Sequence, residues 1–191
     1  MTSVGVLLAA GTGSRFEGGN KLCQPIAGEP IVRRATRQLL ASPVEESVVV
    51  LGYDAKDVLA ALGPLADHLD VVRNEDYRKG QSTSASVGAR AALERDATHA
   101  LFALGDMPWV AHATYARLIE AASTRDEPAV VPTFDGRRGN PVAFDARALH
   151  EFDTLTGDTG ARALFGSLTV ARLAVDDPGI HADVDTFADL E

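Results

Sequence analysis

The sequence predicts an α/β protein, a three-layer αβα, Rossmann-like sandwich around a mostly parallel sheet. Two observations carry that expectation. Short apolar runs alternate with helical stretches over most of the chain, which is the pattern of repeated βαβ units. The runs are apolar at consecutive rather than alternate positions, as strands covered by helices on both faces must be. The length of 191 residues suits a single domain over 1–191, with one core and no linker.

Residues 4–10 form a continuous apolar run that ends in Gly11 and reads as the first strand. Pro30 then opens a helix over 31–40, since proline suits a first helical turn, and Ser42-Pro43 stops it. The valine-rich stretch 47–51 is a strand, 55–62 a helix ended by Gly63-Pro64, and 69–72 a short strand. A helix follows over 82–95, with Ser82, Thr83 or Ser84 as candidate caps. Residues 100–104 form another apolar strand, running into Gly105-Asp106-Met107-Pro108. A helix over 114–123, strands at 129–133 and 141–144, and helices at 146–152 and 159–165 come next. A strand-like run at 168–175 precedes Asp183-Val184-Asp185-Thr186 and a short closing helix.

Composition narrows the function classes. The formal net charge is −9, whereas a nucleic-acid binder normally carries a basic footprint. No apolar run reaches the roughly 18 residues a membrane span needs, and no basic segment precedes the first apolar run as in a signal peptide. A soluble, cytoplasmic protein is expected. Cys23 is the single cysteine, so a disulfide within the chain is impossible, and the five scattered histidines offer no zinc spacing. Only three lysines accompany 15 arginines, which makes the position of Lys21 notable.

Lys21 ends a glycine-rich loop, Gly11-Thr12-Gly13-Ser14-Arg15-Phe16-Glu17-Gly18-Gly19-Asn20-Lys21. Such a loop after a strand presents backbone N–H groups to phosphate, and glycine lets the backbone approach closely. Arg15 and Lys21 add two positive charges, which suits a triphosphate. A dinucleotide fingerprint would need glycine where Phe16 stands. A Walker A loop would need Gly-Lys-Ser/Thr, but Lys21 lies between Asn20 and Leu22. In an open α/β sheet the loops at the strands' carboxyl ends share one edge, so this loop and Asp106 are expected to meet there.

Leu8-Ala9-Ala10-Gly11, Arg15, Lys21, Pro25, Gly28 and Pro30 together resemble the opening signature of the sugar- and cofactor-nucleotidyltransferase superfamily. Further motifs follow in order: Gly80-Gln81-Ser82-Thr83-Ser84, Leu104-Gly105-Asp106-Met107-Pro108, Gly139-Asn140-Pro141-Val142, Gly157-Asp158-Thr159-Gly160-Ala161-Arg162 and Asp183-Val184-Asp185-Thr186. These resemble the molybdenum cofactor cytidylyltransferase family over almost the whole chain.

The resemblance implies that a phosphate monoester attacks the α-phosphorus of CTP and pyrophosphate leaves. Arg15, Lys21 and Asp106 are the implied catalytic residues. Leu8, Ala9, Ala10, Gly11, Gly13, Ser14, Arg15, Lys21, Gly80, Ser82 and Ser84 are the implied nucleotide contacts. Asp106 and Asp185 would hold Mg²⁺, or Mn²⁺ in its place. Asn140 and Asp158 fall on the acceptor side. The implied acceptor is molybdopterin or its metal-loaded form, with a molybdoenzyme or chaperone as delivery partner.

Alternatives stay open at this level. Gly18-Gly19-Asn20-Lys21 approaches the guanylyltransferase G-G-x-D-K, which pulls toward GTP. A methylerythritol phosphate cytidylyltransferase shares the opening motif, and phosphosugar nucleotidyltransferases share the superfamily. A nicotinamide-linked oxidoreductase and a non-catalytic nucleotide-binding module represent other classes. Local structure offers rival uses too: Asp106 as a turn or cap residue, Asp185 or Thr186 as the cap of the closing helix, and Ser82 and Ser84 as ordinary caps.

Overall fold

The computed structural model describes residues 2–13 and 19–190. In chain order the elements are β1 (Ser3–Ala9), the short strands β2 (Pro25–Ile26) and β3 (Glu29–Pro30), α1 (Ile31–Leu40), β4 (Glu46–Leu51), α2 (Ala55–Leu62) and β5 (Asp70–Arg73). Then come α3 (Gln81–Leu93), β6 (His99–Leu104), α4 (His112–Thr124), β7 (Ala129–Phe134), β8 (Arg137–Arg138), β9 (Val142–Asp145), α5 (Ala146–Glu151) and β10 (Val170–Ala174). The sheet runs β10-β7-β9-β6-β1-β4-β5, with β8 joined to β7 as a hairpin arm. β1 pairs in parallel with β4 and β6, β4 with β5, and β10 with β7. β9 is antiparallel to both its neighbours. The architecture is therefore the α/β sandwich with a mostly parallel sheet that the sequence pattern predicts.

Alternation along each strand divides the apolar side chains between two cores. Leu7 of β1, Val49 and Leu51 of β4, and Leu101 and Ala103 of β6 pack under α1, α2 and α4. Val4 and Val6, Val48 and Val50, and Ala100 and Phe102 point the other way, under α3 and α5. This two-sided burial is why the runs are apolar at consecutive positions. α3 lies close on β1 because it carries Gly88, where a side chain would run into Val6. On the same face Phe102, Phe144 and Phe152 form a ring cluster, with Phe144 edge-on to both others at centroid distances of 5.6 and 5.0 Å.

Several boundaries differ from the expected ones, each for a physical reason. The helix expected over 159–165 is a run of 3₁₀ turns, Gly157–Gly166, broken where Gly160 takes a φ of 55°. α3 begins at Gln81 with Gly80 at its N-cap and no side-chain cap, so none of Ser82, Thr83 and Ser84 caps it. The Thr83 hydroxyl instead donates to the Gly80 carbonyl, at 2.8 Å.

α4 starts two residues before the expected Thr114 because its cap comes from a distant residue. The buried Asp177 carboxylate accepts from the Ala111 N–H at 2.9 Å, the Thr114 hydroxyl at 2.6 Å and the Gly179 N–H at 2.9 Å. Asp177→Ala strands three donors in a dry place. We expect it to cost about 2–3 kcal/mol of stability, read as a lowered urea midpoint at unchanged m value.

Candidate functional site

The strand order reverses at β1. From β1 the chain moves outward through β4 and β5, then crosses back by α3 to β6 on the other side of β1. The crevice at the carboxyl ends of β1 and β6 is thus a topological switch point, where open α/β sheets bind ligands. The backbone joins the two ends there: the Gly105 N–H donates to the Leu8 carbonyl at 2.9 Å. Ala9 and Ala10 are buried below this edge, and Gly11 and Thr12 are exposed above it. Gly13 follows with a φ of 53°, close against the aliphatic stem of Lys21. Ser14 and Arg15 lie outside the described residues.

Lys21 is positioned by its neighbours. Leu22 is buried and anchors a single 3₁₀ turn, Lys21–Cys23, while the Asn20 carboxamide oxygen accepts from the Leu22 N–H at 3.0 Å. Cys23 packs half-buried against the core. Asn20 is itself only 6% exposed, and its Nδ2 has no hydrogen-bond partner among the described residues.

Asp106 sits in the turn that leaves β6, closed by the Met107 N–H donating to the Leu104 carbonyl at 3.2 Å. It caps no helix. The closing segment reaches it from far along the chain. Val184 is fully buried, and its N–H donates to the Asp106 carbonyl at 2.9 Å. That anchor brings Asp185 to the same place. The Lys21 ammonium then donates to Asp106 Oδ2 at 2.7 Å and to the Val184 carbonyl at 2.8 Å, and lies 3.4 Å from Asp185 Oδ1.

The expected competition between Asp185 and Thr186 for a cap resolves differently. Asp189, inside the closing turn, reaches back and accepts from the N–H groups of Asp185 at 3.0 Å and Thr186 at 2.7 Å. Those bonds, first from Thr186 and then from Asp185, hold the Asp189 carboxyl below its usual range. The Asp185 carboxylate is turned toward Lys21 instead.

Burial by itself would lower the Lys21 pKa. Asp106, by charge and hydrogen bond, and then Asp185 outweigh it and hold the ammonium above the ordinary lysine value. The stabilisation is fully present below 10.5 and is lost only as the pH climbs through the raised folded value. Asp183, beside them, is pushed up by partial burial and by the like charges of Asp106 and Asp185.

The remaining candidates divide into two groups. Asn140 lines a cavity of about 210 Å³ with Met107, Arg137, His181 and Asp183. It therefore shares a cavity with Asp183. Asp158 has its carboxylate near Gly80, whose φ of 121° and close approach to the Gly157 backbone leave no room for a side chain. Ser82 and Ser84 are buried at 1% and 9% exposure. The Ser84 hydroxyl accepts from Asn74 Nδ2 at 2.9 Å, so Asn74 ties the loop after β5 to the start of α3.

Asn74, Asp183 and the Val184 carbonyl join the site without being expected from the sequence. The i, i+2 spacing of Asp183 and Asp185 around one apolar residue was the available signal for Asp183. Backbone carbonyls and Asn74 left none.

Two carboxylates that share one ammonium are suited to a hard cation that keeps waters and takes its other ligands from phosphate. Among the described residues there is no group of three or more His, Cys, Asp or Glu side chains arranged to hold a metal ion. The donor set therefore fits a phosphate-bound divalent ion better than an all-protein cage. Among the described residues no helix is long and apolar enough to cross a membrane.

Known proteins resemble this chain over nearly its whole length. Nicotine blue oxidoreductase of Paenarthrobacter nicotinovorans is 33% identical over 199 residues, spanning 97% of this chain and 93% of that protein. A nucleotidyl transferase from Methanothermobacter thermautotroptrophicus superposes with a TM-score of 0.82 at 27% identity, covering 98% of this chain and 94% of the other. The Mycobacterium tuberculosis H37Rv protein Rv0371C, in complex with manganese, gives a TM-score of 0.79 at 29% identity, covering 99% of this chain and 96% of the other. The profile of the MobA-like NTP transferase domain matches residues 5–173, and the chain belongs to that family of nucleotidyltransferases.

Proposed function

We propose that this chain transfers CMP from CTP to the phosphate of a molybdopterin-type cofactor, with release of pyrophosphate and dependence on Mg²⁺. The observation that carries the reading is the convergence of Lys21, Asp106 and Asp185 at the switch point beside the glycine loop. Nucleotidyl transfer needs alignment and charge neutralisation more than a covalent nucleophile. A divalent ion held by Asp106 and Asp185 would supply Lewis-acid neutralisation of phosphate oxygens. Lys21 neutralises charge that builds on the α-phosphate, and Arg15 takes the β- and γ-phosphates by its planar fork. Leu8, Ala9, Ala10, Gly11, Gly13, Ser14, Gly80, Ser82 and Ser84 shape the nucleotide side. Asn140 contributes to the acceptor side, where its cavity adjoins Asp183. Asp158, whose carboxylate lies near Gly80, also serves the acceptor side. The manganese complex of Rv0371C supports a divalent ion and allows Mn²⁺ to replace Mg²⁺.

CTP is favoured over GTP by Leu8-Ala9-Ala10-Gly11 and by Leu104-Gly105-Asp106-Met107-Pro108. A thermal-shift screen of CTP, GTP, ATP and UTP with Mg²⁺ tests this directly. We expect CTP to raise the melting temperature by several degrees, as about 3 kcal/mol of linkage at a hundredfold excess over Kd implies. A larger shift with GTP would replace cytidylyl by guanylyl transfer.

The name of the Paenarthrobacter relative favours a second reading, an oxidoreductase. NADH and NADPH therefore belong in the same screen. Stabilisation by either, with none from any triphosphate, would favour the second reading. Phe16 in place of the fingerprint's third glycine argues against it. Magnesium-dependent pyrophosphate release with molybdopterin separates an enzyme from a nucleotide-binding module.

A further inference from the structure

The Lys21 ammonium occupies a place that suits a different cation. Three oxygens converge on it: Asp106 Oδ2 at 2.7 Å, the Val184 carbonyl at 2.8 Å and Asp185 Oδ1 at 3.4 Å. Two are anionic and all are hard, the ligand type that Mg²⁺ and Mn²⁺ take. The Lys21 side chain is only 13% exposed, so this is not a loosely solvated surface pair. An ammonium and a divalent ion cannot share the same two carboxylates without strong repulsion. A metal entering alone must evict the ammonium and leave it partly buried without its counter-ions, which is heavily penalised. A triphosphate changes that balance, because it offers the displaced ammonium new anionic oxygens. The stem of Lys21 already packs against Gly13 of the phosphate loop. Only the end of a flexible four-carbon chain has to turn from the carboxylates to that loop.

We propose that Lys21 is a two-position residue: in the ligand-free chain its ammonium holds the divalent-cation site closed, and nucleotide phosphates draw it out, so that metal and nucleotide enter together. This rests on the reading of Asp106 and Asp185 as metal ligands. Its thermodynamic content is positive coupling between the two ligands, transmitted by one side chain. Its consequence is that one of the two carboxylate charges stays balanced when no nucleotide is bound, and that free metal does not load the site.

The test uses Mn²⁺ alone as probe, with binding read from loss of the free-ion electron paramagnetic resonance signal. Lys21→Met keeps the stem and removes the charge. We expect it to bind Mn²⁺ without nucleotide at least about tenfold more tightly than the parent, because no ammonium has to be displaced. Adding Asp106→Asn to that variant should abolish the gain. Equal Mn²⁺ affinity in Lys21→Met and parent overturns the proposal, and so does a gain that survives Asp106→Asn.

Two neighbouring carboxylates without their lysine also repel each other, so the melting temperature of Lys21→Met should fall and recover with Mn²⁺. If the variant folds only with Mn²⁺, that is the same result in another readout. If Mn²⁺ fails to restore it, the proposal is lost. Transfer activity is scored separately on the parent. A Mn²⁺ gain in Lys21→Met, when the parent transfers no nucleotide, leaves the two-position lysine standing and removes the enzymatic reading. Transfer by the parent without the gain does the reverse.

Discussion

Asp106→Ala is expected to lower pyrophosphate release by about a thousandfold, or about 4 kcal/mol of transition-state stabilisation, while changing CTP affinity far less. The expectation follows from where the residue stands. Its carboxylate lies on the turn leaving β6, aimed at the Lys21 ammonium 2.7 Å away and level with Asp185. A metal held there acts on charge that develops as the α-phosphorus is attacked, so its loss appears in kcat more than in binding. The fold should tolerate the change. Lys21 keeps the Val184 carbonyl and Asp185, so the stability cost should stay at about 2 kcal/mol, below that of a fully broken buried pair. Single-turnover kinetics with a fixed acceptor, beside CTP titration by calorimetry, separate the two effects. A variant as active as the parent would remove Asp106 from the chemistry.

Phe144→Ala is expected to cost about 3–5 kcal/mol of folding stability, a large share of the roughly 5–15 kcal/mol typical of a domain. Phe144 is fully buried on β9, the antiparallel strand between β6 and β7. Its ring meets Phe102 and Phe152 edge-on and stacks on Phe165. Deleting it opens a void that three rings line and cannot easily fill. Urea unfolding followed by circular dichroism reads the loss directly. Phe144→Leu should recover more than half of it, because most of the volume returns. A cost below about 1 kcal/mol for alanine would show that the ring cluster is not a supporting part of this core.

Much of the fold was legible because it depends on local pattern. Residues 31–40 and 55–62 were bounded by proline and glycine signals, and the helices fall there. The apolar runs at 47–51 and 100–104 differ from the observed strands by a residue or so at one end. Boundaries shift where a distant residue overrides the local signal. The start of α4 depends on Asp177, which no window around Ala111 contains. The stretch 159–165 has helical composition, but positive-φ glycines at Gly157 and Gly160 break the repeat into 3₁₀ turns. The β8 arm turns on Asp135 and Gly136, both with positive φ, the geometry of a tight hairpin. That Asp-Gly pair is the sequence cue for the hairpin.

The candidate site divides along the same line. The alternation of strands and helices, the glycine loop ending in Lys21, and the acidic residues at Asp106 and Asp185 are legible along the chain. These are properties of residue type and spacing along a chain. Folding in three dimensions is what brings Lys21, Asp106 and Asp185 to one point, sets Asn140 in the cavity beside Asp183, and puts the Asp158 carboxylate near Gly80. Lys21 and Asp185 are 164 positions apart. Their meeting depends on the strand order reversing at β1 and on one buried residue, Val184, that docks the closing segment against Asp106. Pairings of that range are set by burial and sheet order, which local pattern does not encode. They also place the ammonium of Lys21 between the carboxylates, a position that its loop alone would have assigned to phosphate.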